Sequence, residues 1–385
     1  MTQHFDIAIV GASFAGLVCA RTAALRGLSV AVIDAKAEPG ARVHTTGILV
    51  KEAANELDVP HRLTRHVHGV RLYAPNLSSV DLFAPGYYFL TTQTADLLRW
   101  LADEAERAGA RLFCGTRLEG AGRQDGVIKL RQPDISAQII VGADGARSTV
   151  AKTFDLDRNK KFLTGLEIEY ENLGQVDGNL LHCFVNSDIA PGYLAWAAAG
   201  PDVTQIGLAT GHGRKPDLNK FLKRTDHLFG YGSARIVGRR SGLIPCGGAL
   251  KNFAAPGVLL IGDAAGLVSP MTGGGIFLAF RSGRRAAQAI CDYLQDLGPA
   301  PETILRKEVP RFAVKKLMRA GLDLAPPNWL LNMLLATPPM HALARQVYFH
   351  KRGGAGMGFA EYMALRAQRE KANAAVSHAR QERMP

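Results

Sequence analysis

The chain opens on an apolar run of strand length, Phe5 to Val10, which feeds Gly11-Ala12-Ser13-Phe14-Ala15-Gly16 without a linker. The next segment, Leu17 to Gly27, carries Leu17, Val18 and Leu25 among small alanines at helical spacing, with Gly27 as its stop. A second apolar run, Leu28 to Ile33, ends at Asp34, so the pattern predicts a βαβ unit. Further on, Thr94 to Ala108 reads as an amphipathic helix and Gln138 to Val141 as a short strand. Alternating stretches such as GLEIEYEN and YLAWAAAG predict a second, antiparallel sheet. No apolar run approaches the ~18 residues needed to cross a bilayer.

A glycine loop alone also describes a tight strand-to-helix turn with no ligand. Asp34 changes the balance: it falls near the ~20-residue offset expected of a carboxylate that takes the ribose hydroxyls of a dinucleotide. Ser13 replaces the second glycine of G-x-G-x-x-G, and its hydroxyl can itself donate to a phosphate oxygen. Nicotinamide and flavin dinucleotides are not separated by this unit.

Two later motifs extend the site. Gly142-Ala143-Asp144-Gly145-Ala146-Arg147-Ser148 follows a strand and starts a basic, hydroxyl-rich helix. Gly262-Asp263-Ala264-Ala265-Gly266 runs through Ser269-Pro270-Met271-Thr272-Gly273-Gly274-Gly275-Ile276 into an apolar helix, whose positive end suits an anion. By itself Asp263 also reads as an N-cap.

At 385 residues the chain calls for two domains, and its 47% hydrophobic and 21% charged residues are those of a soluble globular protein. The first strand begins at residue 5, which leaves no room for a cleavable signal, so a cytoplasmic enzyme is expected. Five scattered cysteines without C-x-x-C spacing give neither a disulfide framework nor a metal site, and His66 with His68 lacks a third ligand.

The net charge of +12 is uneven: residues 301–385 hold fourteen basic against six acidic residues. That region includes the aromatic-tipped apolar segment Pro326 to Leu335, followed by Arg345, Lys351 and Arg352. Two readings stay open, a helix packed on the protein with a solvated basic face, or a surface that rests on anionic lipid and receives a lipid-like substrate. Basic residues are not interleaved with stacking aromatics, so nucleic acid is not expected as a partner.

Taken together, GASFAG, GADGARS and GDAAG with PMTGGGI resemble the three flavin motifs of the glutathione-reductase-type FAD superfamily. Within it they resemble the para-hydroxybenzoate-hydroxylase-like flavoproteins, which include aromatic monooxygenases, tryptophan halogenases and geranylgeranyl reductases. GDAAGLVSPMTGGGIFLAF is similar to the reductases across nearly its whole length, as more weakly are Pro191-Gly192-Tyr193-Leu194-Ala195-Trp196 and Gln205-Ile206-Gly207-Leu208; the halogenases' W-x-W-x-I-P is absent. Three positions depart from the reductase pattern. His44 to Ile48 stands where a Cys-Gly segment is common, Ala197-Ala198 where Phe-Pro is usual, and Ala151 where an arginine commonly follows the Asp-Gly motif.

The fold so implied is α/β: a Rossmann-type FAD domain (1–60, 90–150, 251–300) interleaved with an antiparallel substrate domain (61–89, 151–250), then a basic helical region (301–385). The resemblance assigns Gly11, Ser13, Phe14, Ala15 and Gly16 to the pyrophosphate, Asp34, Ala35 and Lys36 to the adenosine ribose, and Arg42 to a phosphate. Asp144, Gly145, Gly262, Gly266 and Pro270 complete the cradle. Asp263 falls to the ribityl chain, and the N–H groups around Gly274, Gly275 and Ile276 to the N1/C2 carbonyl edge. Tyr193 and Trp196 are candidates to line the cavity over the ring, or else core aromatics, and Cys246 either a flavin neighbour or a buried small residue.

The leading expectation is hydride transfer from reduced FAD to a C=C bond of a prenyl or other apolar substrate, with NAD(P)H or a reduced redox protein as transient donor. A monooxygenase using NAD(P)H and O2 on a small substrate and a non-enzymatic prenyl or lipid carrier are the alternatives.

Overall fold

The computed structural model describes residues 2–349 and three later positions, 363, 364 and 367. The rest of the expected basic helical region, Lys351 and Arg352 included, lies outside the described residues.

The first sheet is built around Gln3–Val10, which pairs in parallel with Ile135–Gly142 on one side and Val30–Ile33 on the other. Val258–Leu260 extends it in parallel beyond Ile135–Gly142, and Arg111–Phe113 does so beyond Val30–Ile33. Ile7, Ala8, Ile9 and all of Val30–Ile33 are buried, which is why these strands read as unbroken apolar runs. Thr94–Arg107 is the expected amphipathic helix, with Leu97, Leu98, Leu101, Ala102 and Ala105 turned inward.

Two helices lie against one another at the centre of this layer, Phe14–Leu25 and Ile276–Leu294. Phe14 and Phe280 meet edge to face, 5.5 Å between centroids. Around them the contact is backbone on backbone: a Cβ on Gly283 would stand 2.4 Å from the Ala15 carbonyl oxygen and 3.2 Å from the Cys19 nitrogen. The alanines and glycines of the first helix are therefore a packing surface that lets the second approach.

The second sheet has seven strands in the order Arg235–Pro245, Phe162–Glu171, Thr204–Thr210, Ala195–Ala199, Leu180–Phe184, Gly69–Tyr73, Ser79–Phe83. It is antiparallel except where Leu180–Phe184 runs parallel to Gly69–Tyr73, the seam between its two sequence segments. Helix Leu218–Phe229 covers one face, where Phe221 and Phe229 pack on Phe184. A small third sheet joins Ile48–Val50, Phe89–Thr92 and Thr64–Val67.

The last described helices are Pro301–Glu308, Ala313–Asp323, Asn328–Leu335 and Pro338–Phe349. Phe349 is fully buried against Tyr87 and Phe89, at 5.6 and 5.8 Å between ring centroids, which anchors this region. Among the described residues no helix is long and apolar enough to cross a membrane.

The Gly283 contact predicts that Gly283→Ala, though favourable to helix propensity, destabilises the protein by about 1–3 kcal/mol through overpacking. Urea unfolding should show a lower midpoint at unchanged slope.

Candidate functional site: a cofactor cradle opening into an apolar chamber

Both central helices start on one cavity of 1590 Å³, well above the ~300–1,000 Å³ of an ordinary small-ligand site. Gly11, Ser13, Phe14 and Ala15 line it at the first helix, and Gly274, Gly275 and Ile276 at the second. Each helix leaves its first N–H groups without intrahelical acceptors and presents a partial positive charge there. Two such ends on one cavity suit a ligand with anionic or electron-rich groups along its length.

Asp34 ends its strand beside the first of them. Its Oδ2 accepts the Ala12 N–H at 2.6 Å and its Oδ1 the Lys36 N–H at 2.7 Å, so the carboxylate holds the glycine loop in shape as well as facing the cavity. Lys36, Ala35 and Arg42 share that wall; burial pulls the Lys36 ammonium below its ordinary range, against the pull of Asp34. Asp144 and Gly145 line the wall too, but both Asp144 oxygens are committed to the helix start at Ser148, Thr149 and Val150. Asp144 thus shapes the turn.

Asp263 is different. It sits in a single 3-10 turn, Gly262–Ala265, ten or more residues before the long helix, whose N-cap is Gly275, so it caps no helix. Its carboxylate makes no hydrogen bond among the described residues, and burial alone pushes it up to about 6. A recessed acceptor on a cavity wall fits the hydroxyls of a polyol. Asn159, invisible to motif reading, clamps this turn to the middle motif by donating to the Asp263 carbonyl at 2.8 Å and the Ala146 carbonyl at 3.2 Å.

Four assigned residues stand behind the wall. Gly16 packs against Gly11 and Ala143, Gly262 against Ala15, Gly266 turns the chain beneath Gly248, and Pro270 is buried. The donor set, the two helix ends and the open Asp263 carboxylate fit FAD. Gly11 to Gly16 would hold its pyrophosphate, Asp34 its ribose, Asp263 its ribityl chain and the Gly274–Ile276 backbone its electron-rich ring edge.

The cavity continues past the cradle beneath the second sheet. Tyr193 lies two residues before strand Ala195–Ala199, in a turn, and its hydroxyl donates to the Thr272 carbonyl. It pins the glycine-rich loop to the sheet, and its acidity is suppressed by burial. Cys246 is not on the wall: it packs with Leu163 and Ala209, because the strand ending at Pro245 turns it into a small cluster, and burial raises its thiol pKa. Of the two readings open for Cys246, its packing is that of a buried small residue.

Trp196 does line the cavity, and it belongs to a row that the sequence did not disclose. Register places Arg240, Glu167, Gly207, Trp196, Cys183 and Leu72 opposite one another on six successive strands. The Trp196 indole lies flat across Gly207, where a Cβ would be 2.5 Å from the ring, and its Nε1 donates to Glu167 Oε2 at 2.9 Å. Thr46 Oγ1 donates to the same oxygen at 2.6 Å. The wall is thus charged at one end of the row and apolar at the other, where burial pushes Cys183 up to about 11. Beyond it the chamber is walled by Leu331, Leu334, Leu335, Met340, Leu343 and Val347 from the last helices.

A family model described as FAD binding domain matches residues 4–199, and one described as lycopene cyclase protein matches residues 216–321. The fold and cradle define an FAD-dependent oxidoreductase. The digeranylgeranylglycerophospholipid reductase of Methanothrix thermoacetophila is 30% identical over 83% of this chain and 86% of its own, and that of Methanothermobacter thermautotrophicus 29% identical over 75% and 77%. The chain belongs to the geranylgeranyl-reductase-like family of FAD-dependent oxidoreductases. Among solved structures, a geranylgeranyl bacteriochlorophyll reductase-like protein of Thermoplasma acidophilum shares the fold at a TM-score of 0.79 and 22% identity, over 91% of this chain and 98% of that one. The flavin-dependent brominase Bmp2 does so at 0.69 and 16%, over 97% and 100%.

Hydroxyl donors stabilise the Asp263 carboxylate over its protonated form, so FAD binding should pull its pKa down from about 6. The affinity of the apoprotein for FAD should therefore strengthen as pH rises from 5 to 7.5, and Asp263→Asn should abolish that dependence. Quenching of flavin fluorescence on titration measures both.

Proposed function

We propose that this enzyme saturates C=C bonds in the prenyl chain of an amphiphilic lipid. The observation that carries the reading is the continuity of the cavity from the cofactor cradle into a chamber walled by apolar side chains of the last helices. A small hydroxylatable substrate would leave most of that chamber unfilled, whereas a flexible hydrocarbon chain buries itself along it at ~25 cal/mol per Å². Reduced FAD supplies a hydride. The chain's own residues hold the cofactor edge, exclude water with apolar side chains and keep the alkene against the ring. The names of the matched reductases support the same chemistry. NAD(P)H or a reduced redox protein would reload the flavin between turnovers.

Holoenzyme reduced anaerobically with dithionite and mixed with geranylgeraniol or digeranylgeranylglyceryl phosphate should yield a product heavier by two hydrogens per double bond. Incorporation of one oxygen atom from an O2 pulse, without saturation, would overturn the reading in favour of a monooxygenase. A colourless protein that takes up no FAD would favour the carrier.

The substrate's source follows from the outer face of the same helices. Leu317, Leu324 and Trp329 are 75%, 81% and 68% exposed, beside Val314 and Met333, while Met318, Leu322, Leu331 and Leu334 of those segments line the chamber. Lys307, Arg311 and Lys316 stand close by in the chain. An apolar patch flanked by cations fits an anionic bilayer surface, peripheral to the membrane. Sedimentation with phosphatidylglycerol vesicles should be salt-sensitive and weaker by about tenfold or more for the double variant Trp329→Ala, Leu324→Ser, whereas phosphatidylcholine vesicles should bind poorly.

A further inference from the structure

A second hollow, of 580 Å³, lies at one end of the seven-stranded sheet and shares no lining residue with the cofactor cavity. Four pieces of chain meet there: the turn between strands Gly69–Tyr73 and Ser79–Phe83, the segment leaving strand Leu180–Phe184, and helices Leu218–Phe229 and Asn328–Leu335. The last of these helices has three faces. Leu331, Leu334 and Leu335 line the chamber, Trp329 and Met333 are 68% and 55% exposed, and Asn328 and Asn332, one turn apart, line the hollow.

The amide oxygens of the hollow are already committed to the backbone. Asn332 Oδ1 accepts the Asn76 N–H at 3.0 Å, and Asn76 Oδ1 accepts that of Ser78 at 3.0 Å. Asn186 Oδ1 accepts the Asp188 N–H and Asn328 Oδ1 that of Ser187, both at 2.9 Å. Each such bond settles which end of the amide is the oxygen. Asn328 then spends its NH2 on Asn186 Oδ1 and Asp188 Oδ2 at 3.1 and 2.8 Å, whereas the NH2 groups of Asn76, Asn186 and Asn332 have no acceptor among the described residues. Asn186 is 8% exposed, so its NH2 is short of bulk water as well. On helix Leu218–Phe229, Lys220, Lys223 and Arg224 share the face along the hollow. Lys220 gives one N–H to the Asp188 carbonyl at 2.8 Å and Arg224 one to the Pro75 carbonyl at 3.2 Å, which leaves each with further donors. Asp188 is the one carboxylate set against these three cations.

We propose that this hollow binds the phosphate headgroup of an anionic bilayer lipid. The unspent NH2 groups of Asn76, Asn186 and Asn332 and the cations of helix Leu218–Phe229 donate to the phosphate oxygens, charge-assisted bonds that a diffuse surface field does not supply. Asp188 Oδ1 is the acceptor for a hydroxyl of the head, such as that of a glycerol. The neighbouring exposed face of helix Asn328–Leu335 favours a lipid over free phosphate, because Trp329 and Met333 give its hydrocarbon part a surface beside the head. A head seated here holds the leucine face of the same helix, and with it the chamber, next to the bilayer. The assignment rests on the membrane-surface reading above and adds to it a recognised chemical group.

The test is sedimentation of the holoenzyme with phosphatidylglycerol vesicles at constant ionic strength. The double variant Lys223→Gln, Arg224→Gln should bind about tenfold or more weakly. Asn332→Ala, which removes a donor and no charge, should bind about threefold more weakly, a loss that a field of surface charge would not produce. Soluble glycerol phosphate should compete with the vesicles better than sulfate does, and nitrogen-15 spectra should show saturable shifts of the Asn76, Asn186 and Asn332 side-chain amides on its addition. Saturation of detergent-dispersed digeranylgeranylglyceryl phosphate should be unchanged in the variants; a rise in KM there would give the hollow to the substrate's own head and overturn the bilayer assignment. Inorganic phosphate shifting the same amides while the variants sediment like wild type would overturn it in favour of free phosphate. Equal competition by sulfate, or variants that sediment like wild type without amide shifts, would overturn the site and leave the membrane-surface reading standing. If wild type binds no phosphatidylglycerol vesicles, both fall together, a failure visible in the wild type alone.

Discussion

The structure depends on the backbone contact between helices Phe14–Leu25 and Ile276–Leu294. Their approach leaves no space for a side chain at Gly283 against Ala15 and Cys19, and it brings the first residues of both helices to one cavity although some 260 positions separate them in the chain. A wider separation would still bury apolar surface. It would not align two positive helix ends along one extended ligand, because the electrostatic effect of a helix terminus fades within its first turn. The cofactor site is therefore a consequence of how small the residues between the helices are.

The cavity's second half is made by a different device, cross-strand register. Six residues from six strands form one row, and their order sets a gradient from Arg240 and Glu167 to Cys183 and Leu72. A one-residue slip of any strand would send its member of the row to the other face of the sheet. Gly207 matters here for what it lacks, since its empty side lets the Trp196 indole span a whole strand to reach Glu167.

The two devices differ in how far they can be read from sequence. Gly11 to Gly16 and Gly274 to Ile276 are legible because each run lies at the start of one helix, where local spacing and backbone chemistry fix what the residues can do, and Asp34 and Asp263 because each follows the end of an apolar strand. Glu167 is not, because alternation in GLEIEYEN marks polar positions as one face of a strand without saying that this face is buried. Its partners come from residues 46, 196 and 240, and no local pattern links them. The glycine in Gln205-Ile206-Gly207-Leu208, sitting opposite an aromatic strand, was the available signal. Tyr193 illustrates the intermediate case: its place beside the flavin loop was readable, but its position in a turn, and so its use as a tether, required the strand to begin at Ala195.

That tether has a mechanical side. Arg319, buried on helix Ala313–Asp323, is ion-paired with Asp323 at 3.0 Å, donates to the Gly192 carbonyl and lies 6.0 Å from the centre of the Tyr193 ring. Tyr193 in turn holds Thr272, next to the three glycines. An unbroken line of polar contacts thus runs from a helix whose far side presents Leu317 to the surroundings, through one turn of the second sheet, to the loop at the cofactor's reactive edge. The exposed helix and the glycine loop are thus joined by direct contacts through a single turn, so a tilt of that helix would bear on the loop and not on the sheet alone.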